Sequence, residues 1–208
     1  MNRNLLIVTT LLSGLWPGAA RALWISEVLY DAAGADAGRV FVELYGAPGT
    51  ALDGFTLEGV NGANGASGPR LELSGAIPGD GFFVVASGSG GESEVPNADL
   101  VLAFDFQNGP DSIRLLDVSG QVVDALGYGV FGAGDVFAGE GGPAPDVAAG
   151  QSLARLFADV DTDDNAADFA SMASPSPGSG AAQLPEPVPV ALLLCGGAAL
   201  VARRRRRD

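Results

Sequence analysis

Trp24-Ile-Ser-Glu-Val-Leu-Tyr30 and Arg39-Val-Phe-Val-Glu-Leu-Tyr45 decide the fold. Both runs are rich in β-branched, aromatic and aliphatic residues, and Asp31-Ala-Ala-Gly-Ala-Asp-Ala-Gly38 separates them. That pattern predicts two strands joined by a polar loop. Strand side chains alternate faces at period two. Strict alternation puts Trp24, Ser26, Val28 and Tyr30 on one face of the first strand, and Ile25, Glu27 and Leu29 on the other. In the second strand it sets Val42 and Leu44 against Phe41, Glu43 and Tyr45. Both faces of each run carry apolar residues, so the pair belongs inside a two-sheet protein.

The same reading extends along the chain. Strands are predicted at Phe55-Thr-Leu-Glu58, Arg70-Leu-Glu-Leu-Ser74 (Leu71 and Leu73 inward), Phe82-Phe-Val-Val-Ala86 and Leu100-Val-Leu-Ala-Phe104. Others follow at Ser112-Ile-Arg-Leu-Leu-Asp117, Gln121-Val-Val-Asp-Ala-Leu126 and Ser152-Leu-Ala-Arg-Leu156. Residues 59–68 read as a mobile Gly/Asn/Ala/Ser loop, 129–150 as irregular, and 166–172 as a short turn or helix. Eight or nine short strands at this spacing, without long helical periodicity, predict an all-β fold: an immunoglobulin-like antiparallel β-sandwich. Of the aromatic residues, Trp24, Phe55, Phe82, Phe83 and Phe104 are expected in its core.

The two ends carry a different kind of information. Residues 1–22 have the three parts of a secretory signal helix: Arg3, an apolar run from Leu5 to Leu15, and the cleavage site Ala20-Arg21-Ala22. At the other end, residues 175–184 are a Pro/Ser/Gly spacer too polar to pack. Pro185, Glu186 and Pro187 precede an uncharged run at 188–202, read as a transmembrane helix, and then Arg203, Arg204, Arg205, Arg206 and Arg207. Fifteen helical residues span about 22 Å, short against a hydrocarbon core of about 30 Å. The arginines hold that end in the cytoplasm. The body, residues 23–174, is therefore expected outside the cytoplasmic membrane.

Composition narrows the functions open to that body. It holds 23 Asp and Glu against four Arg, in a chain of net charge −14 with no His. Such a surface repels nucleic acid and attracts cations. The sole cysteine, Cys195, lies in the C-terminal apolar run. No disulfide framework, His/Cys zinc site or His-based triad can form in the body. Gly127-Tyr-Gly-Val-Phe-Gly132 satisfies G-x-G-x-x-G, but the following residues are not helical, so no pyrophosphate site is expected. Asp159, Asp161, Asp163 and Asp164 begin like a Ca²⁺ loop. Asp164 stands where an EF-hand needs glycine, and Ala170 where it needs glutamate. A looser Ca²⁺ site, or an acidic turn, remains. Glu27 and Glu43 lie within apolar strands. They form either a hydrolytic carboxylate pair or, as favoured here, groups held by hydrogen bonds from backbone or from an arginine such as Arg39. If they face each other, one carboxyl should be pushed up.

Two resemblances follow from these residues. Pro185-Glu-Pro187, the apolar run and the terminal arginines resemble the PEP-CTERM sorting signal of Gram-negative bacteria. That likeness implies recognition by an exosortase-type membrane transpeptidase, cleavage near Pro-Glu-Pro and delivery to the cell surface. The body resembles the lamin-tail domain through Ile25-Ser-Glu-Val-Leu-Tyr30, Phe41-Val-Glu-Leu-Tyr45, Leu52-Asp-Gly-Phe-Thr-Leu57 and Ile77-Pro-Gly-Asp-Gly-Phe-Phe-Val-Val-Ala86. It continues through Asp111-Ser-Ile-Arg-Leu-Leu-Asp117, Gly120-Gln-Val-Val-Asp124 with Tyr128, Gln151-Ser-Leu-Ala-Arg155, and Asp161-Thr-Asp-Asp-Asn-Ala-Ala-Asp-Phe169 ahead of Ser174-Pro-Ser-Pro-Gly178, in the family's order and over residues 23–178. Phe55 stands where that family more often has Trp. The family implies an immunoglobulin-like sandwich and supplies no catalytic residues. The expected function is a non-enzymatic surface or matrix protein binding polysaccharide or other surface proteins. The alternatives are a secreted carboxylate-dependent hydrolase, or accessory module of one, and an unprocessed membrane-anchored periplasmic domain.

Overall fold

The computed structural model describes residues 23–180. The signal segment, the transmembrane run and the sorting residues 185–187 and 203–207 lie outside these. Among the described residues, no helix is long and apolar enough to cross a membrane.

The described residues form ten strands in two sheets, with one short helix. The first sheet runs β10 (Phe169–Met172), β9 (Ser152–Arg155), β1 (Leu23–Leu29), β2 (Phe41–Gly46), β5 (Phe82–Ser87), β6 (Leu100–Leu102). The second runs β4 (Ser67–Glu72), β3 (Thr56–Asn61), β7 (Asp111–Leu116), β8 (Val122–Tyr128). The mostly antiparallel sandwich predicted by strand spacing is present in this coarse form. One pair departs from it: β5 and β6 are parallel. The loop between them returns the chain to the starting end of β5, where Asp99 N–H donates to the Val84 carbonyl at 2.9 Å and the Asp99 carboxylate accepts Val84 N–H at 2.8 Å.

Three local readings are corrected. Strict alternation fails in β1, because a bulge between Ile25 and Glu27 sets two steps of β1 against one of β2. Ile25, Val28 and Tyr30 consequently share the core, while Leu29 joins a small outer cluster with Phe41, Val84, Ala86 and Val95. The stretch 59–68 is no mobile loop. It continues β3, turns, and enters β4; the Asn61 carbonyl receives Gly65 N–H at 2.7 Å, and the Asn61 side chain receives Ala63 N–H at 2.9 Å. Gly62 passes so close to Pro110 that a Cβ there would lie 2.0 Å from its carbonyl oxygen. Finally, 166–172 divides into α1 (Asn165–Asp168), capped by Asp164, and β10, the added tenth strand.

The main core lies between the sheets. Val42, Leu44, Val85 and Leu153 meet Leu57, Ile113, Leu115 and Leu126, all buried. Leu71 and Leu73 face inward as read from their alternation. Tyr30 and Tyr128 stack across the interior with ring centres 4.3 Å apart. Of the five aromatics expected in the core, Phe55, Phe83 and Phe104 pack there, whereas Trp24 and Phe82 do not. Truncating fully buried Leu57 to alanine should cost about 2–5 kcal/mol in urea unfolding. Val130→Ala, at a site 76% exposed, should change stability by less than about 0.5 kcal/mol.

Candidate functional site

Glu27 and Glu43 are directly opposite one another on β1 and β2, and both are fully buried. The bulge sets the Ser26 hydroxyl beside them, where it donates to Glu43 Oε1 at 2.6 Å. Residues 176–180 lie over the pair. Ser176 donates its N–H to Glu27 Oε1 at 2.9 Å and its hydroxyl to Glu27 Oε2 at 2.7 Å. Gly178 N–H donates to Glu43 Oε2 at 2.6 Å. From β9, the Ser152 hydroxyl donates to Glu27 Oε1 at 2.5 Å. The carboxylates are thus held by backbone and hydroxyl groups, as favoured from sequence, but not by Arg39, which pairs instead with Glu94 at an exposed site.

This contact also corrects the spacer expected over 175–184: its first part packs. Polarity did not prevent docking, because buried carboxylates need donors and a Ser-Pro-Gly-Ser turn offers them. Asn97 holds the turn by donating to the Pro177 carbonyl at 2.8 Å. Burial, reinforced by the facing Glu27, pushes the Glu43 carboxyl up to about 7, against the lowering effect of Ser26 and Gly178.

A second cluster surrounds Arg155 of β9, which is 2% exposed. Its Nε donates to the Ile25 carbonyl at 3.0 Å. Nη1 donates to Asp168 at 2.9 Å, Asp161 at 3.0 Å and the Val160 carbonyl at 3.3 Å. Nη2 lies 3.4 Å from both Asp124 oxygens. The guanidinium carbon is 4.7 Å from the Phe169 ring centre. Asp124 also accepts Ile25 N–H at 2.5 Å and Ala125 N–H at 2.9 Å. Sequence reading met Asp124, Arg155 and Asp168 only within the stretches that resemble the lamin-tail domain and, as with Glu140, gave them no role of their own. The available signal was a charge at a buried position in two apolar strands, Val-Val-Asp-Ala-Leu and Ser-Leu-Ala-Arg-Leu.

The four aspartates considered for Ca²⁺ do different jobs. Asp161 binds Arg155, Asp164 caps α1 and receives Gly142 N–H at 2.9 Å, and Asp159 is exposed in a depression beside Trp24. Asp163 holds a positive φ of 55°. The carboxylates that converge are Asp124, Glu140 and Asp161, with oxygens within 4.8 Å of one another. Arg155 already offsets one of the three charges, and a proton on Glu140 offsets another. Glu140 Oε2 is buried without a donor. Burial first, then the Asp124 and Asp161 charges, push the Glu140 carboxyl up to about 8. Burial also pushes the Asp124 carboxyl up, against the lowering effect of Arg155 and the Ile25 N–H.

The G-x-G-x-x-G run is likewise consumed structurally. Asn165, fully buried, accepts N–H groups from Gly127 at 2.8 Å and Glu140 at 2.9 Å, and donates to the Ala125 carbonyl at 2.8 Å. No family model matches the chain, and no curated protein or solved structure matches it either.

Two predictions follow from the charges. In the folded state Glu43 and Glu140 hold protons that the unfolded chain releases above the ordinary 4.5. Their stabilisation is complete below that pH and is lost as pH rises through about 7 and about 8. The melting temperature should therefore rise on moving from pH 9 to pH 5.5, and Glu43→Gln should flatten that rise. Arg155→Met leaves Asp124 and Asp168 buried without their cation, and should cost about 3–5 kcal/mol in denaturant unfolding.

Proposed function

We propose that the chain is exported and that an exosortase-type membrane transpeptidase recognises its tail. The body then serves outside the cytoplasmic membrane, at the cell surface or in the surrounding matrix, as a non-catalytic adhesion module. Within the two-sheet architecture, we read the finer class as an immunoglobulin-like sandwich of lamin-tail type. The family's order of motifs, from Ile25-Ser-Glu-Val-Leu-Tyr30 to Asp161-Thr-Asp-Asp-Asn, supports that reading.

The observation that carries the non-catalytic reading is the state of Glu27 and Glu43. A hydrolytic pair needs oxygens that can reach a glycosidic bond and a water. Here both carboxyls are fully buried, and residues 176–180 occupy the face through which substrate would approach. Asp124 and Asp168 are equally committed, to Arg155. The export reading draws on Arg3, the apolar run and Ala20-Arg21-Ala22; the sorting reading draws on Pro185-Glu-Pro187 and the five arginines. Net charge −14 suits a soluble surface molecule that avoids nucleic acid.

Mass spectrometry of the protein recovered from the producing cell tests the delivery route. The mature chain should begin at Leu23 and should lack Arg203 to Arg207. Recovery of the arginine cluster on the surface-exposed protein would overturn sorting and leave an unprocessed membrane anchor.

A further inference from the structure

Trp24, Tyr45 and Phe82 stand in a row across β1, β2 and β5, because Trp24 pairs with Tyr45 and Tyr45 with Phe82. All three are partly exposed, and none belongs to either apolar cluster. Core packing therefore does not account for them. The Trp24 and Tyr45 rings are stacked, with centres 6.3 Å apart and planes 26° from parallel, and together they floor an open depression. Phe82 follows at 5.2 Å from Tyr45, and its ring is closely approached by Gly180: a Cβ on that glycine would come within 2.7 Å. The floor is fixed in place. The Trp24 indole N–H donates to the Ala158 carbonyl at 2.6 Å, and Tyr45 is wedged between its two neighbours.

Trp24 and Tyr45 form one side of an open depression of about 360 Å³, completed by Gly46, Pro48, Asp80 and Asp159. That volume falls within the range of small-ligand sites, roughly 300–1,000 Å³. Asp80 and Asp159 are exposed at its rim. Asp80 Oδ1 accepts Phe82 N–H at 3.1 Å, leaving its other oxygen available. Among the described residues, Asp159 and the Tyr45 hydroxyl make no side-chain hydrogen bond. The site thus offers two partly exposed aromatic rings, two carboxylates and a phenol hydroxyl, with no cation at its lining.

This inventory sorts ligands by charge. An anion is repelled by Asp80, Asp159 and a chain of net charge −14. A cation must give up hydration for ion pairs with Asp80 and Asp159, which contribute little at an exposed, solvated rim. An uncharged ring bearing hydroxyls meets neither cost. Its C–H face rests on the negative π surface, and its hydroxyls donate to the carboxylates.

We propose that the depression formed by Trp24, Tyr45, Asp80 and Asp159 binds a pyranose unit of a neutral polysaccharide. This rests on the adhesive reading above and gives that reading a site. No bond is made or broken: Glu27 and Glu43, the buried pair, lie on the same sheet but beneath residues 176–180.

The test uses the protein purified from the producing cell, with neutral glucan, mannan and galactan as probes. Anionic polygalacturonate, cationic chitosan and polylysine serve as charged probes, and surface proteins of the producing cell as protein probes. Trp24 is the only tryptophan beyond residues 1–22, so its fluorescence reports occupancy directly. At least one neutral polymer should bind without turnover and shift that emission. Tyr45→Ala and Trp24→Ala should each weaken binding tenfold or more, and Asp159→Asn several-fold with the melting temperature unchanged. If Trp24→Ala fails to fold, Tyr45→Ala and Asp159→Asn test the same floor and rim. Neutral-polymer binding left intact in those two variants overturns the site while adhesion stands. Binding confined to chitosan or polylysine overturns it in favour of a cation site. Binding to surface proteins and to no polysaccharide overturns the inference alone; binding to none of the probes overturns the adhesive reading as well.

Discussion

One guanidinium organises the closed side of this sandwich. Arg155 contacts β1 through the Ile25 carbonyl, β8 through Asp124, α1 through Asp168 and the following loop through Val160 and Asp161. A cation buried at 2% exposure must be compensated where it stands, since desolvation would otherwise dominate. Here the compensation comes from several segments distant in sequence. Each must be in place for the others to be stable, and that requirement fixes how β1 and β9 of the first sheet sit against β8 of the second and against the 156–168 segment. Hydrophobic packing alone sets no such detail, because it is not directional.

The body's excess of carboxylates is therefore less uniform than its composition implies. Some are spent on the interior: Asp124 and Asp168 on Arg155, Glu27 and Glu43 on residues 176–180, and Asp164 on capping α1. Others, including Asp80 and Asp159, remain on the surface beside aromatic rings. An acidic composition thus divides into a structural fraction with few oxygens to spare and an outer fraction free to meet a ligand.

How much of this was legible in the sequence depends on the range of the interaction. Runs such as Phe82-Phe-Val-Val-Ala86 declare themselves by β-branched and aromatic content, and Leu71 and Leu73 by alternation. The β1 bulge was hidden, because nothing local to Ile25-Ser-Glu27 distinguishes a slipped register from a regular one. What the slip achieves is visible only once Ser26 is seen donating to Glu43 on the next strand. The row of Trp24, Tyr45 and Phe82 was hidden for a related reason: its members come from three strands, and only register brings them together. Asp159 looked like part of a local acidic loop. Its neighbours in space are instead Trp24 and Asp80, far away in the chain.

The cover over Glu27 and Glu43 has a mechanical meaning. Tension on the chain beyond Gly180 reaches the short turn held by Ser176, Gly178 and Asn97 before it reaches edge strand β10. A few hydrogen bonds anchored in the middle of the sheet would yield first and close again when the load is removed. The turn, rather than the outermost strand, is thus the first part of the described fold to meet a load applied from that end.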